Sequence, residues 1–531
     1  MSKNLVIFGP AHGGKSSLIG FLRAAEMGRE FNKWREQQQR LSNEFRDADK
    51  YRLLIDTHEE ERRRQAKEGH GTSWYMHTAL THVGQHEVLL IDTPGREHER
   101  TKREMLRGLF YGDIGILLLD INWFRDQERL FDDFSQLETW LSFGYRREAV
   151  IVVLAKMDSI AFSEERYTHA KTISDTLIQG FLKEAGLENT PAVVIPTGID
   201  FTNEIGHNIL QPSTSMPWYN GDVLIQAVEH FCATGSSQPR DKDVPLLVCI
   251  RRTYNLPNAK PMGIIVEGKI MAGSLCEHDR IKVVPTLFEK SEWNAMTGVA
   301  AELRLLGTDQ AVSQCVAGDM ITVNCSDLRV AGRVVKGDQV SIVPSCILIK
   351  DDESCTVGNI LLFEASAGDL QKLVLLQEVS LLWFGRNIAA QVVQLDCSLG
   401  HVGLELRDMR AGIPMDARHG MRHRDFLVRV ERAPTRGEDG QKPIYMPVRL
   451  RNIGIPVRVI YEPHEQLEQR DLNELFSTVS YRLRDTVIEF EVDGSCITVL
   501  WQIKEAEKIC SYDPMARRGR VSIELASVTP L

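Results

Sequence analysis

The sequence predicts an α/β domain with a mostly parallel sheet, followed by two β-barrel-type domains. Three observations carry that prediction. Continuous apolar runs such as NLVIF, IGILLLDI and EAVIVVLA alternate with helical segments through the first part of the chain, the pattern of a parallel sheet covered on both faces. A small, polar, proline-containing stretch, ATGSSQPRDKD at 233–243, then breaks the pattern as a linker does. Beyond it, short β-branched runs alternate with Gly, Asp and Asn turns, the grammar of a barrel or sandwich.

At 531 residues the chain is too long for one core. The expected divisions are 1–235 for the α/β domain, 243–368 for the first barrel and 370–531 for a divergent, β-rich C-terminal domain. Apolar residues make up 43% and charged residues 26%, as in ordinary globular proteins. The net charge of −10 argues against a surface coated with basic groups, so DNA is not an expected partner, although a local basic patch could meet RNA. All ten cysteines lie beyond residue 231 and none forms a C-x-x-C pair, which disfavours a zinc or dithiol motif and fits a reducing compartment. The opening MSKNLVIFGP is too short for a signal peptide or span, and no run of 18 apolar residues follows. A cytoplasmic location without a membrane partner is expected.

Taken in order, residues 4–8 read as a buried strand and SSLIGFLRAA, within 15–25, as a helix. Residues 26–71 are crowded with charge and read as helical turns with connections. HEEERRRQAKEGH reads as an exposed helix rather than a metal site, and His70, His77 and His82 share no ligand spacing. TSWYMHTALTHV and HEVLLID, joined at Gly84-Gln85, read as a β-hairpin. Strands follow at 114–121, 148–155 and 192–196, and then PLLVCIRRTY, MGIIVEGKIMAGS, DRIKVVP and DMITVN. From about residue 372 strands continue, interrupted by RAPTRGEDGQKP, with one helical patch near EQLEQRDLNELF. The basic stretch RHGMRHRDFLVRVER, 418–432, reads as a solvated strand-and-turn face, with RNA contact as the alternative.

Chemistry concentrates in three loops. Gly9, Gly14, Lys15 and Ser16 satisfy G-x-x-x-x-G-K-S/T between a strand and a helix. Such a loop turns backbone N–H groups, here also those of His12, Gly13 and Ser17, toward phosphate oxygens at a helix N-terminus. Lys15 neutralises phosphate charge and the Ser16 hydroxyl can ligate Mg²⁺. VLLIDTPG ends a strand at Asp92, a carboxylate that can hold Mg²⁺, and its Gly95 N–H can sense a γ-phosphate. AKMD at 155–158 follows the next strand pair; Asp158 can accept from guanine N1 and N2, and Lys156 can lie along the base. Adenine offers no such donor pair, so the three loops together favour guanine and a P-loop GTPase domain.

These residues resemble the translational GTPase superfamily, closest to the elongation factor 1-alpha group, which includes the GTPase subunit of bacterial sulfate adenylyltransferase. The family's G-H-V-D-H-G-K-S-T-L-I-G corresponds to GPAHGGKSSLIG, its D-x-P-G-H to DTPGR and its N-K-M-D to AKMD. SMPWYNGDVLIQAVE matches its M-P-W-Y-x-G-x-x-L-x-x-A stretch. A weaker likeness runs into MGIIVEGKIMAGSL, DRIKVVP and VAGDMITVN and fades after about residue 370. The resemblance implies that Thr72 is the switch threonine closing on Mg²⁺ and γ-phosphate, and that Thr197 or Gly198 in IPTGID meets the base.

Three departures follow from the same comparison. Arg96 stands where the family places the histidine that orients water, with His98 two residues on. Both are candidate catalytic residues, or else solvated residues of a switch loop; an arginine cannot accept a proton but can stabilise phosphate charge. Ala155 replaces the asparagine that ties the base loop to the phosphate loop; losing such a tie costs about 1–3 kcal/mol, roughly 5- to 150-fold in affinity. His12 and Gly13 replace the family's aspartate and histidine, which a backbone cradle tolerates. The expected protein is a GTP/GDP- and Mg²⁺-dependent switch with weak or partner-dependent hydrolysis. It is expected to work in translation with ribosome, tRNA or a release-factor-like protein through its C-terminal domains. The alternatives are a regulatory GTPase driving a partner enzyme, and a degenerate GTPase serving as a nucleotide-binding scaffold.

Overall fold

The computed structural model describes residues 3–41, 51, 54, 76–95, 99–125, 127–142, 147–234, 244–255, 263–288, 292–306, 311–342, 346–353, 355–383, 386–398, 400–407, 411–414, 426–430, 444–463, 496–501 and 519–525. The chain forms two compact units. One is residues 1–242 with 304–322 and 384–386; the other is the remainder.

The first unit is built on a six-stranded sheet. Its strands are β1 (Lys3–Phe8), β2 (His77–Val83), β3 (His86–Asp92), β4 (Ile114–Asp120), β5 (Ala149–Ala155) and β6 (Ala192–Pro196), in the order β2-β3-β1-β4-β5-β6. β3, β1, β4, β5 and β6 run parallel, and only the β2–β3 hairpin is antiparallel. β4 is buried at every position and β5 at all but its last, which explains their unbroken apolar runs: with helices on both faces there is no polar side to alternate with. The helices are α1 (Lys15–Met27), α2 (Arg29–Leu41), α3 (Glu99–Tyr111), α4 (Gln127–Ser142), α5 (Glu164–Glu184) and α6 (Leu224–Thr234). One core cluster joins Leu5, Ile7, Leu18, Ile116, Ile151, Ile195 and Phe231 across the sheet and its helices.

This topology positions the site. β1, β3, β5 and β6 all deliver their following loops from the carboxyl end of a parallel sheet, where open α/β folds bind ligands. Those loops are Gly9–Gly14, Thr93–Gly95, Lys156–Asp158 and Thr197–Gly198.

Two closed rings of strands follow, most of their residues in the second unit. Six strands, Ile264–Ala272, Leu247–Asn255, Ile347–Lys350, Arg280–Phe288, Glu292–Leu305 and Met320–Val330, pair in that order, and the last returns to the first. A second six, Ile360–Glu364, His401–Leu406, Arg386–Asp396, Glu378–Trp383, Phe426–Val430 and Ile444–Pro463, closes the same way through Ile360↔Gly454 to Glu364↔Arg449. The 20-residue strand Ile444–Pro463 does not stop at the ring: its far half pairs with Cys496–Trp501 and with Gly519–Leu525.

Some expectations change. Helix α6 runs to Thr234, so the first residues of the expected linker are helical, and 235–243 lie outside the described residues. Within 418–432, Phe426–Val430 is a barrel strand buried at every position, Arg429 included, and not a solvated face. A strand inside a closed ring shields both its arginine and its apolar neighbours, which local charge does not reveal. The helical patch near EQLEQRDLNELF and the segment HEEERRRQAKEGH lie outside the described residues.

Candidate nucleotide site

β1 ends at Phe8 and the chain turns at once. Gly9 has φ +138°, and a Cβ there would sit 2.3 Å from the Leu118 carbonyl oxygen of β4; only glycine fits. Its N–H donates to Gln136 Oε1 of α4 at 3.2 Å, a brace that sequence reading did not single out. Gly14 occupies the left-handed region, φ +101°, at the N-cap of α1, and among the described residues no side chain caps that helix. Its first N–H groups therefore face the loop, which suits an anion. Lys15 is buried, and its ammonium donates to the carbonyls of Gly9 (2.9 Å) and Pro10 (2.7 Å), which hold the charge over the loop.

The second loop meets the first. Ser16 Oγ donates to Asp92 Oδ2 at 2.6 Å, and Asp92 is 1% exposed. Thr93 Oγ1 donates to the Ile7 carbonyl at 2.9 Å, locking the turn after β3. A Cβ on Gly95 would lie 2.7 Å from Ala11 Cβ, so the two loops are in contact and glycine is required there. A hydroxyl and a carboxylate this close are hard oxygen donors of the kind Mg²⁺ takes, and the donor set fits that ion. Thr72, Arg96 and His98 lie outside the described residues. Among the described residues no group of three His, Cys, Asp or Glu could hold a metal on its own.

The third and fourth loops also converge. Met157 N–H donates to the Thr197 carbonyl at 3.1 Å, and Thr197 N–H to the Leu154 carbonyl at 2.8 Å. A Cβ on Gly198 would be 3.2 Å from Asp158 Oδ1, so Asp158 and the Thr197–Gly198 loop share one corner. The SMPWYNG stretch supports this corner from behind. Trp218 Nε1 donates to the Phe162 carbonyl at 3.1 Å and packs 5.1 Å from the Tyr167 ring. Tyr167 donates to the Val194 carbonyl at 3.1 Å, and burial pushes its phenol well above the usual range. That motif is thus structural support for the base side.

The base side departs from expectation at Ala155. Its methyl group packs against the core, but the base loop is nonetheless tied to the phosphate loop. Lys156, in the left-handed region with φ +61°, donates from Nζ to the His12 carbonyl at 3.1 Å and to Asp120 Oδ2 at 2.9 Å. Sequence reading gave Lys156 a role along the base and overlooked Asp120, since a terminal strand aspartate carries no motif.

The comparisons with known proteins agree with this geometry. Residues 1–246 match the family model of the elongation factor Tu GTP-binding domain. Elongation factor 1-alpha of Aeropyrum pernix is 25% identical over 352 residues, 64% of this chain and 72% of that protein. The Hyperthermus butylicus protein of the same name is 26% identical over 354 residues, with the same coverage. Among solved structures, the GTP-bound Ski7 GTPase-like domain of S. cerevisiae aligns with TM-score 0.61 at 14% identity, covering 85% of this chain and 97% of its own. Elongation factor SelB of Methanococcus maripaludis aligns with TM-score 0.51 at 14% identity, covering 88% and 85%. Those two likenesses concern the fold: a GTPase domain and two six-stranded barrels. Residues 1–246 thus form a GTPase domain of the elongation factor Tu type, and the chain is similar to elongation factor 1-alpha proteins at 25–26% identity.

Proposed function

We propose that this chain is a GTP/GDP switch acting in translation, through contacts of its C-terminal domains with the ribosome together with tRNA or a release-factor-like protein. The observation that carries the switch is the Ser16–Asp92 hydrogen bond, which joins the phosphate loop to the Thr93–Gly95 turn. In this reading the backbone N–H groups of Gly9–Ser17 and the Lys15 ammonium bind the phosphates. Ser16 and Asp92, with Thr72, form the Mg²⁺ side. Mg²⁺, when bound, supplies the charge that offsets the β- and γ-phosphates. Gly95 senses the γ-phosphate, and Arg96 and His98 are the residues left to stabilise charge and orient water. Asp158 and Lys156, beside Thr197 and Gly198, select guanine. Hydrolysis is slow without a partner, because arginine at 96 cannot serve as a base.

Translation as the setting is supported by the similarity to elongation factor 1-alpha, an argument by analogy. A cytoplasmic site of action fits that reading; among the described residues no helix is long and apolar enough to cross a membrane. The test is co-sedimentation with ribosomes, with GDP and with a non-hydrolysable GTP analogue. The analogue is expected to raise the bound fraction several-fold. Binding that ignores the nucleotide, or no binding, rejects the translational switch and leaves the regulatory GTPase or the scaffold.

A further inference from the structure

The family's asparagine before Lys156 is absent, yet the base loop has a fixed attachment, and its pieces come from β4. Asp120, the last residue of β4, is 6% exposed. One carboxylate oxygen accepts from Lys156 Nζ at 2.9 Å. The other accepts twice from Asn122, from its N–H at 2.9 Å and its side-chain amide at 3.0 Å. That same amide donates to Ser159 Oγ at 2.7 Å, and Ser159 Oγ donates to the Lys156 carbonyl at 2.7 Å. The bonds close a ring: Asp120, Asn122, Ser159, Lys156 and back to Asp120. From that ring Lys156 reaches out to the His12 carbonyl of the phosphate loop at 3.1 Å.

The ring accounts for two otherwise odd features. The Lys156 backbone sits in the left-handed region, which a non-glycine residue keeps only where its surroundings over-determine it. Its side chain is 43% exposed, and a lysine so exposed ordinarily samples many rotamers and contributes little through an ion pair. Here the carboxylate partner is buried and pinned by two amide donors, so the ammonium is held at both the backbone and the tip.

We propose that Asp120 and Asn122 are positioning residues that hold the guanine-side loop against the phosphate loop, replacing the tie that Ala155 cannot make. The proposal rests on the guanine-nucleotide reading above. Neither residue touches nucleotide in this account; they act through Lys156 and, along the same loop, through Asp158.

The test measures the affinity and dissociation rate of a fluorescent GDP for the full chain, with ATP as competitor, in a two-by-two set. Asn122→Ala is made alone and in the Ala155→Asn background. Alone, Asn122→Ala is expected to weaken GDP binding about 10-fold, mainly through faster dissociation, from the loss of its part-buried bond to Asp120 and its exposed bond to Ser159. With asparagine restored at 155, the same substitution is expected to cost less than about 3-fold. A general loss of packing would cost the same in both backgrounds, and that equality overturns the proposal, as does an unchanged dissociation rate in Asn122→Ala. If Asn122→Ala lowers Tm enough to leave unfolded protein, Ser159→Ala, which removes both ring bonds that its hydroxyl makes, decides by the same comparison. If the native chain binds ATP as well as GDP, the guanine reading fails first and takes this proposal with it. Selective GDP binding with no effect of Asn122→Ala sinks this proposal alone.

Discussion

At the phosphate end of the site the loop shape is set mainly by close main-chain approaches at glycines; at the base end it is set mainly by side-chain hydrogen bonds. Gly9, Gly14 and Gly95 each serve by lacking a Cβ, at a close approach to Leu118, in the left-handed turn before α1 and against Ala11 respectively. Beside the Lys15 ammonium and the Ser16 hydroxyl, the donors there are main-chain N–H groups, and residue types can change around those, as at His12 and Gly13, without altering the cradle. The base end works through Asp158 and through Lys156, Asp120 and Asn122, and the last three meet over distances of 2.7–3.1 Å in one network with Ser159 and His12. A main-chain site demands a few invariant residue types and is hard to rewire. A side-chain site can lose one member and recover its geometry through others.

Three substitutions sharpen the contrast. Lys15→Ala removes the only charge the phosphate loop itself carries, in a buried setting, and is expected to weaken GTP and GDP binding by about 100-fold or more. Equilibrium titration with a fluorescent guanine nucleotide reads this, and a loss under tenfold would mean the phosphates are held elsewhere. Asp158→Ala is expected to leave phosphate binding largely in place while reducing the preference for GTP over ATP by about 10- to 150-fold, the worth of charged hydrogen bonds to the base. Competition titration checks it, and an unchanged preference would remove Asp158 from base selection. Gly198→Ala places a methyl 3.2 Å from Asp158 Oδ1 and is expected to weaken guanine binding only about 3-fold, since the carboxylate can shift by a few tenths of an ångström. An effect as large as that of Asp158→Ala would show the corner to be as rigid as the phosphate loop.

The phosphate end was legible in the sequence because its requirements are local. Gly14, Lys15 and Ser16 are neighbours, and Asp92 announces itself by the D-x-P-G turn that it opens. The parallel sheet was legible for a similar reason: β4 and β5 are buried on both faces, and their uninterrupted apolar runs say so. The base brace was not legible, because Asp120, Asn122 and Ser159 are joined only once β4 and β5 lie side by side. Reading Ala155 in isolation predicted a lost tie, whereas the structure makes that tie through Lys156. A second barrel-type domain was legible too, but not which strands close it. Its closure depends on pairing Ile360–Glu364 with a strand some 90 residues away, and that strand carries Pro447 and Pro456, which read as breaks rather than as one 20-residue element.

That long strand, Ile444–Pro463, belongs to two sheets at once. Its first part is a stave of the closed ring and its second part pairs with Cys496–Trp501 and Gly519–Leu525. With no loop between the two halves there is no hinge, so load applied to the outer strands passes into the barrel wall as tension along one backbone. A partner that grips the outer ribbon therefore holds the barrel as if by a handle.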